Sequence, residues 1–364
     1  MTQGMNIAWF GSSLVSAYWN GAATYYRGII RALAERGHRV TFYEPDAFER
    51  QRHRDIADPD YARVVVYPGE GEDGVYRALD AAHGADLVVK ASGVGVFDEL
   101  LEREVLALRS PSTLVAFWDV DAPATLERVH GDPADPFRAL VPEYDIVFTY
   151  GGGPPVVQAY AAWGAQGCTC IYNGLDPEEH RPLEMAAHPE FDLLFMGNRL
   201  PDREARVDEF FFRAAELSPG HSFCLGGEGW GDRAMPANVT WLGHVPTHRH
   251  NAVNASARLV LNVHRESMVE NGWSPATRMF EAAGAGSCQV TDAMPGIEEF
   301  FTPGEEILVA GDGAAVARIV GATTDADARR IGEAGRRRAL ADHTYAQRAE
   351  RMDAILRAPV ESVA

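Results

Sequence analysis

From residue 6 to residue 43 the chain reads strand, helix, strand, and that rhythm of short apolar runs and amphipathic stretches repeats almost to its end. Ile7 to Phe10 is the first apolar run and stops at Gly11. Apolar residues then fall at positions 22, 25, 26, 29, 30 and 33, a helical stripe closed by Gly37, before Val40 to Tyr43 supplies the next run. Strands covered by helices on both faces are apolar at nearly every position, whereas half-exposed strands alternate. The pattern therefore predicts α/β architecture, a parallel sheet wrapped on both sides by helices. Further strands are expected at Val64 to Tyr67, Leu87 to Lys90, Leu114 to Trp118 and Ile146 to Tyr150.

A chain of 364 residues exceeds what one hydrophobic core usually serves, so two domains are expected. The stretch HRPLEMAAHPE, residues 180–190, lacks periodicity and reads as the linker. Strands resume at Leu193 to Met196, Ser222 to Leu225, Val239 to Trp241, Leu259 to Asn262, Cys288 to Thr291 and Ile307 to Val309. Helices are expected at about 202–217, 247–256, 275–284, 313–320 and 325–341. This gives two Rossmann-like, doubly wound domains, 1–180 and 190–341. A last segment, 342–364, has Tyr345, Ala349, Met352 and Ile355 on one face and should pack as a helix.

Charge and cysteines narrow the function. A net charge of −19 repels phosphate backbones and anionic lipid, which argues against nucleic-acid or membrane-surface binding. Four cysteines without zinc-type spacing fit buried thiols in a reducing compartment. The start MTQGMNIAWF has no basic n-region, and no apolar stretch reaches the roughly eighteen residues of a membrane span. A cytoplasmic protein is expected; the oligomeric state is not readable.

Doubly wound domains bind ligands at the carboxyl ends of their strands. A dinucleotide fingerprint is missing, since Gly11 and Gly21 stand too far apart for a tight phosphate turn. The run SPATRMFEAAGAGSCQVTD, residues 274–292, is more informative. Ser274 suits an N-cap, Pro275 the first helical position, and Thr277 offers a hydroxyl in the first turn. Backbone N–H groups around Ala276 and Thr277 would face a diphosphate, and Glu281, two turns in, could accept hydrogen bonds from ribose hydroxyls. An ordinary capped helix packed on a sheet has the same features.

Four further passages carry a family resemblance. NGAATYYRGIIRALAERGHRV looks like the glycine loop and first helix of family 4 glycosyltransferases with the GT-B fold. IYNGLDPEEHRP, residues 171–182, resembles their Asn-Gly-x-Asp-x-x-x-x-x-Pro domain junction. FMGNRLPDR, residues 195–203, is similar to the segment whose basic residues hold the donor diphosphate. The fourth runs from NVTWLGHV through LVLNVHRESMVENGWSPATRMFEAAGAGSCQVTD to FFTPGEEILV and, closed by HTYAQRAERM, looks most like the CgeB-like, spore-maturation branch.

The resemblance implies two Rossmann-like domains facing across a cleft and a C-terminal helix crossing back. It implies a glycosyltransferase of the hexosyltransferase type that takes a sugar from a nucleoside diphosphate (UDP, GDP or dTDP), needs no metal or cofactor, and retains configuration. Glu281 matches the ribose-holding glutamate of a paired motif. The first glutamate of that pair would stand eight positions earlier, where this chain has Trp273, with Glu270 three residues out of register. Gly243 and His244 match the nucleobase loop, and Gly21 the loop near donor phosphate and acceptor. Asn198, Arg199 and Arg203 fall in the diphosphate segment. Arg265 and Arg278 join them as candidates, because planar guanidinium forks fit phosphate oxygens.

For a general base, FWDVDAP puts Asp119 and Asp121 at the end of a strand, although Asp121 equally suits a helix cap. His264 could support the donor site, and Gly151 to Gly153 could admit a ligand or simply turn. Two other classes remain open: a GT-B sugar-nucleotide epimerase, and a noncatalytic sugar-nucleotide-binding or coat-associated protein.

Overall fold

The computed structural model describes residues 4–18, 20–183 and 189–357, and the chain divides into two compact units. The first takes the chain up to Tyr172 together with the C-terminal helix Tyr345–Arg357; the second runs from Asn173 to Thr344. The division thus falls between Tyr172 and Asn173, ahead of the expected linker. Of that linker, residues 184–188 lie outside the described residues, as do 358–364 of the last segment. No helix among the described residues is long and apolar enough to cross a membrane.

The first unit is built on strands β1 (Asn6–Phe10), β2 (Arg39–Asp46), β3 (Ala62–Pro68), β4 (Leu87–Ala91), β5 (Leu114–Asp119), β6 (Ile146–Thr149) and β7 (Cys168–Cys170). They pair in parallel in the order β3-β2-β1-β4-β5-β6-β7. Ile7, Trp9, Val89, Trp118 and Phe148 pack into one core, and Ala8, Phe10, Val88, Phe117 and Val147 into another. Successive side chains of one strand point to opposite faces. Two covered faces are thus the reason each strand reads as an unbroken apolar run.

The second unit holds β8 (Phe191–Met196), β9 (Phe223–Gly226), β10 (Val239–Gly243), β11 (Ala257–Asn262), β12 (Cys288–Asp292) and β13 (Leu308–Ala310). These too are all parallel, in the order β10-β9-β8-β11-β12-β13. The helical run expected at 202–217 spans Pro201–Leu217 with a π-helical segment at Asp208–Phe212. Phe210, Phe211 and Phe212 are all buried there. The wider π turn lets three consecutive rings reach the core, which an α-helical sweep would splay apart. The helix Glu266–Asn271, which buries no residue fully, and the short edge strand β7 were not anticipated.

The C-terminal helix completes the first unit by packing on the helix Ala23–Glu35. A Cβ on Gly28 would lie 2.2 Å from the Tyr345 ring, so only glycine leaves that ring its place. Asp353 accepts from Arg36 Nε at 2.8 Å and lies 2.8 Å from His38 Nε2. The backbone N–H of Met5 donates to His38 Nδ1, which puts the imidazole proton on Nε2, facing the carboxylate. Burial alone would raise the Asp353 carboxyl, but Arg36 and His38 outweigh it and hold it below the ordinary range. Substituting Gly28→Val should cost about 1 to 3 kcal/mol in urea unfolding, the usual penalty of overpacking. Adding Tyr345→Ala to that variant should recover part of the loss.

Candidate active site

In the second unit the chain winds outward from β8 to β9 and β10 on one side, and from β11 to β12 and β13 on the other. The crevice where the direction reverses lies at the carboxyl ends of β8 and β11, the usual ligand position in such sheets. A glycine-lined floor forms there. Gly197 N donates to Gly226 O at 2.8 Å, and Gly227 N to Gly243 O at 2.7 Å. Gly227 has φ +128°, and a Cβ on it would stand 2.3 Å from Gly197 O. Gly243, at φ +70°, has open space around it, and His244 after it is exposed.

Two guanidinium groups crowd this floor. A Cβ on Gly197 would lie 2.8 Å from Arg203 Nη2 and 3.0 Å from Arg278 Nη1. Both groups sit over the Phe195 ring, at 5.7 and 5.9 Å from its centroid. Arg203 donates to Asn198 O at 2.5 Å, and Arg278 donates to Met196 O. Neither has a carboxylate within ion-pair distance among the described residues, and Arg203 Nε is buried without a partner. Burial, then the nearby Arg278 charge, pull Arg203 below the ordinary guanidinium range; burial does the same to Arg278. The electrostatics of the pair call for an anion.

The other arginines divide. Arg265 joins the edge of this cluster but gives its Nε to Asp202. Arg199, expected on the diphosphate, is turned elsewhere: it pairs with Glu204 at 2.5 Å and Asp232 at 2.7 Å and lies over Trp230. Its role is to fasten the loop after β9 to the helix after β8, and Asn198 helps by accepting from Glu228 N at 3.0 Å. Asp292, which the sequence reading passed over, ends β12 fully buried. It accepts from His264 Nδ1 and Arg206 Nη2, both at 2.6 Å, and from the His264 backbone at 3.2 Å. His264 is therefore a buried structural partner that fixes the loop carrying Arg265, as its position after an apolar strand allowed.

The opening of the Glu281 helix differs from the expectation. The helix runs Thr277–Gly284, its N-cap position is Ala276, and no side chain caps it. Ser274 is buried and donates to Gly272 O at 2.9 Å, so it closes a turn, and Pro275 precedes the cap position. The reason lies upstream. Gly272 and Trp273 both take positive φ, 69° and 44°, and Trp273 N donates to Pro295 O. Trp273 packs its ring on Gly296, where a Cβ would clash at 2.3 Å, and donates to Glu299 at 2.5 Å. The tryptophan standing where the family has its first glutamate is thus a clamp on the loop 294–299.

Glu281 sits one turn beyond Arg278 with its side chain 12% exposed, 3.8 Å from His180 Nε2. His250 lies close enough to feel Glu281, Arg278 and His180, and burial holds its imidazole below the usual range. Neither histidine was singled out beforehand. His180 was visible inside the passage 171–182 but read only as part of a junction. The same passage supplies Asn173, whose Nδ2 donates to Pro275 O at 3.2 Å.

In the first unit, Asp119 is corrected from candidate base to structural anchor. It is fully buried at the end of β5. Ser92, Thr125 and the Asp121 N–H donate to Oδ1 at 2.9, 2.9 and 3.1 Å, and Tyr160 donates to Oδ2 at 2.7 Å. Burial pushes its carboxyl up against these bonds. Four donors leave little lone-pair capacity for a substrate hydroxyl. Asp121 stands at the N-cap position of the helix Ala122–Gly131 without a side-chain capping bond. Gly21 is exposed, with no atom near a would-be Cβ, two residues ahead of the helix Ala23–Glu35.

This geometry agrees with comparisons to known proteins. Residues 203–354 match the family model described as "Glycosyl transferase-like". Sucrose-phosphate synthase from Thermosynechococcus elongatus superposes with a TM-score of 0.69 at 16% identity, over 97% of this chain and 98% of that one. HepE of Anabaena, solved in complex with UDP and glucose, gives 0.67 at 13%, over 97% and 99%. AviGT4, a glycosyltransferase involved in avilamycin A biosynthesis, gives 0.64 at 18%, over 98% of each chain. No curated protein matches in sequence. The fold is the two-domain GT-B fold. The glycosyl transferase-like match covers the arginine pair and Glu281.

Reassigning Asp119 has a measurable consequence. Asp119→Ala should remove about 3 kcal/mol of stability, because buried hydroxyl donors lose their acceptor. Urea unfolding monitored by tryptophan fluorescence checks this; an unchanged midpoint would return Asp119 to the list of functional groups.

Proposed function

We propose that the protein transfers a sugar from a nucleoside diphosphate sugar to an acceptor hydroxyl, without a metal ion and with retention at the anomeric carbon. The observation that carries this reading is the pair Arg203 and Arg278, packed against Gly197 with no carboxylate at ion-pair distance among the described residues. Loss of a nucleoside diphosphate leaves charge on the phosphates, and two preorganised guanidinium groups stabilise it as a divalent cation would. Glu281, one turn further along the same helix, suits the ribose hydroxyls, with Gly243 and His244 toward the base. Trp273, occupied in its clamp, contributes no carboxylate to the sugar. Retention and the CgeB-like branch rest on the resemblance of the Ser274–Glu281 run and its neighbours. A reducing, cytoplasmic setting suits four cysteines that form no disulfide among the described residues.

Calorimetric titration with UDP, GDP and dTDP in EDTA tests the donor site, and failure of all three to bind would sink the proposal. Glu281→Ala should weaken the nucleotide that binds by about 1 to 3 kcal/mol, the cost of losing a charged hydrogen-bond partner. Arg278→Ala should weaken it at least as much, whereas Arg199→Ala should shift affinity by less than about threefold, since its charge is already paired. Proton NMR of the anomeric signal, with and without an acceptor mixture, separates transfer from epimerisation and reports the stereochemistry.

A further inference from the structure

We infer that His180 is a positioning residue for the Glu281 carboxylate and thereby sets how strongly the protein prefers ribose over deoxyribose in its nucleotide. The inference rests on the donor-site reading above. Its basis is the way one segment of the second unit braces the nucleotide helix. Asn173 Nδ2 donates to Pro275 O at 3.2 Å, just ahead of the first turn. At the other end, a Cβ on Gly284 would lie 2.3 Å from Leu175 Cδ1 and 2.7 Å from His180 O, so the segment rests directly on the helix backbone. Between these contacts His180 points its Nε2 at Glu281 Oε1, 3.8 Å away.

The imidazole is buried, and its Nδ1 has no hydrogen-bond partner. A carboxylate only accepts, so the proton belongs on Nε2, and Nδ1 keeps a lone pair rather than a stranded N–H. At 3.8 Å the contact is longer than a direct hydrogen bond, with the Nε2–H dipole directed at the carboxylate. It therefore orients the carboxylate without consuming its hydrogen-bonding capacity, and leaves its oxygens available to vicinal hydroxyls. Arg278 and His250, two further basic groups close to Glu281, belong to the diphosphate floor and to the start of the helix His250–Ala255. Only His180 reaches it from the bracing segment.

The test compares UDP, 2′-deoxy-UDP and inorganic pyrophosphate by calorimetry on the full-length protein. The wild type should prefer UDP over its deoxy analogue by about tenfold, the effect of one lost hydrogen bond to a charged group. Glu281→Ala should bring that ratio close to one. His180→Phe should lower it to about threefold, and His180→Gln, which keeps an N–H donor, should restore most of it. Pyrophosphate affinity should stay unchanged in all of them. A full ratio in His180→Phe overturns the inference, as does a fall in pyrophosphate affinity with the ratio intact, which would mark a merely structural role. If His180→Phe does not fold, His180→Asn, smaller and too short to reach Glu281, is read by the same criteria. If GDP binds in place of UDP, GDP and 2′-deoxy-GDP replace the uridine pair; failure of UDP, GDP and dTDP alike to bind the wild type would instead overturn the donor-site reading itself.

Discussion

Two positive charges held together in a partly buried place are costly, and the second unit is arranged around tolerating them. Arg203 and Arg278 come from different elements, one from the helix after β8 and one from the helix before β12. They meet because Gly197 has no side chain to hold them off and because Phe195 offers its ring beneath both. Backbone carbonyls at Met196 and Asn198 take some of the charge without neutralising it. Repulsion between like charges grows as the local dielectric falls, and so does attraction to any anion that enters. The same desolvation that sets the two guanidinium groups against each other therefore favours an anion between them.

The buried carboxylates play the opposite part. Asp292 at the end of β12 and Asp119 at the end of β5 occupy strand ends where a catalytic group could stand, yet each is saturated by donors from neighbouring helices and loops. Glu44, at the carboxyl end of β2, does likewise: it accepts from Ser13 Oγ and the Leu14 N–H and shapes the loop after β1. In each case a charge removed from water is offset by several directed hydrogen bonds, and what it secures is the geometry of a loop. An acidic residue at a strand end is thus weak evidence of catalysis until its partners are counted.

Much of the fold was legible because strands buried on both faces leave an unmistakable apolar run, as Ile7 to Phe10 and Leu259 to Asn262 do. The three-residue strand Cys168–Cys170 was too short to leave one, and the polar helix Glu266–Asn271 had no apolar stripe to show. At the crevice, Arg203, Arg278 and Glu281 stand out by residue type and spacing, and the fold brings the two arginines together at Gly197. Ser274 was misread because its role is decided by Pro295 and Gly296, residues distant in sequence that hold Trp273 and turn the chain early. Arg199 was misread for a similar reason: Asp232, which claims it, lies thirty-three positions away. Local chemistry names the groups that could act, and only tertiary contacts decide which of them are already engaged.

The C-terminal helix gives the chain an uneven folding history. Its second unit is continuous and can close as soon as it is made. The first unit has a complete sheet by Tyr172, yet the part of the helix Ala23–Glu35 around Gly28 that receives Tyr345 has no cover until residues 345–357 emerge. At ordinary rates of synthesis that interval lasts on the order of tens of seconds. During it the nascent protein leaves the groove at Gly28 open, so the demand this sequence places on chaperones is set less by either core than by the order in which its parts appear.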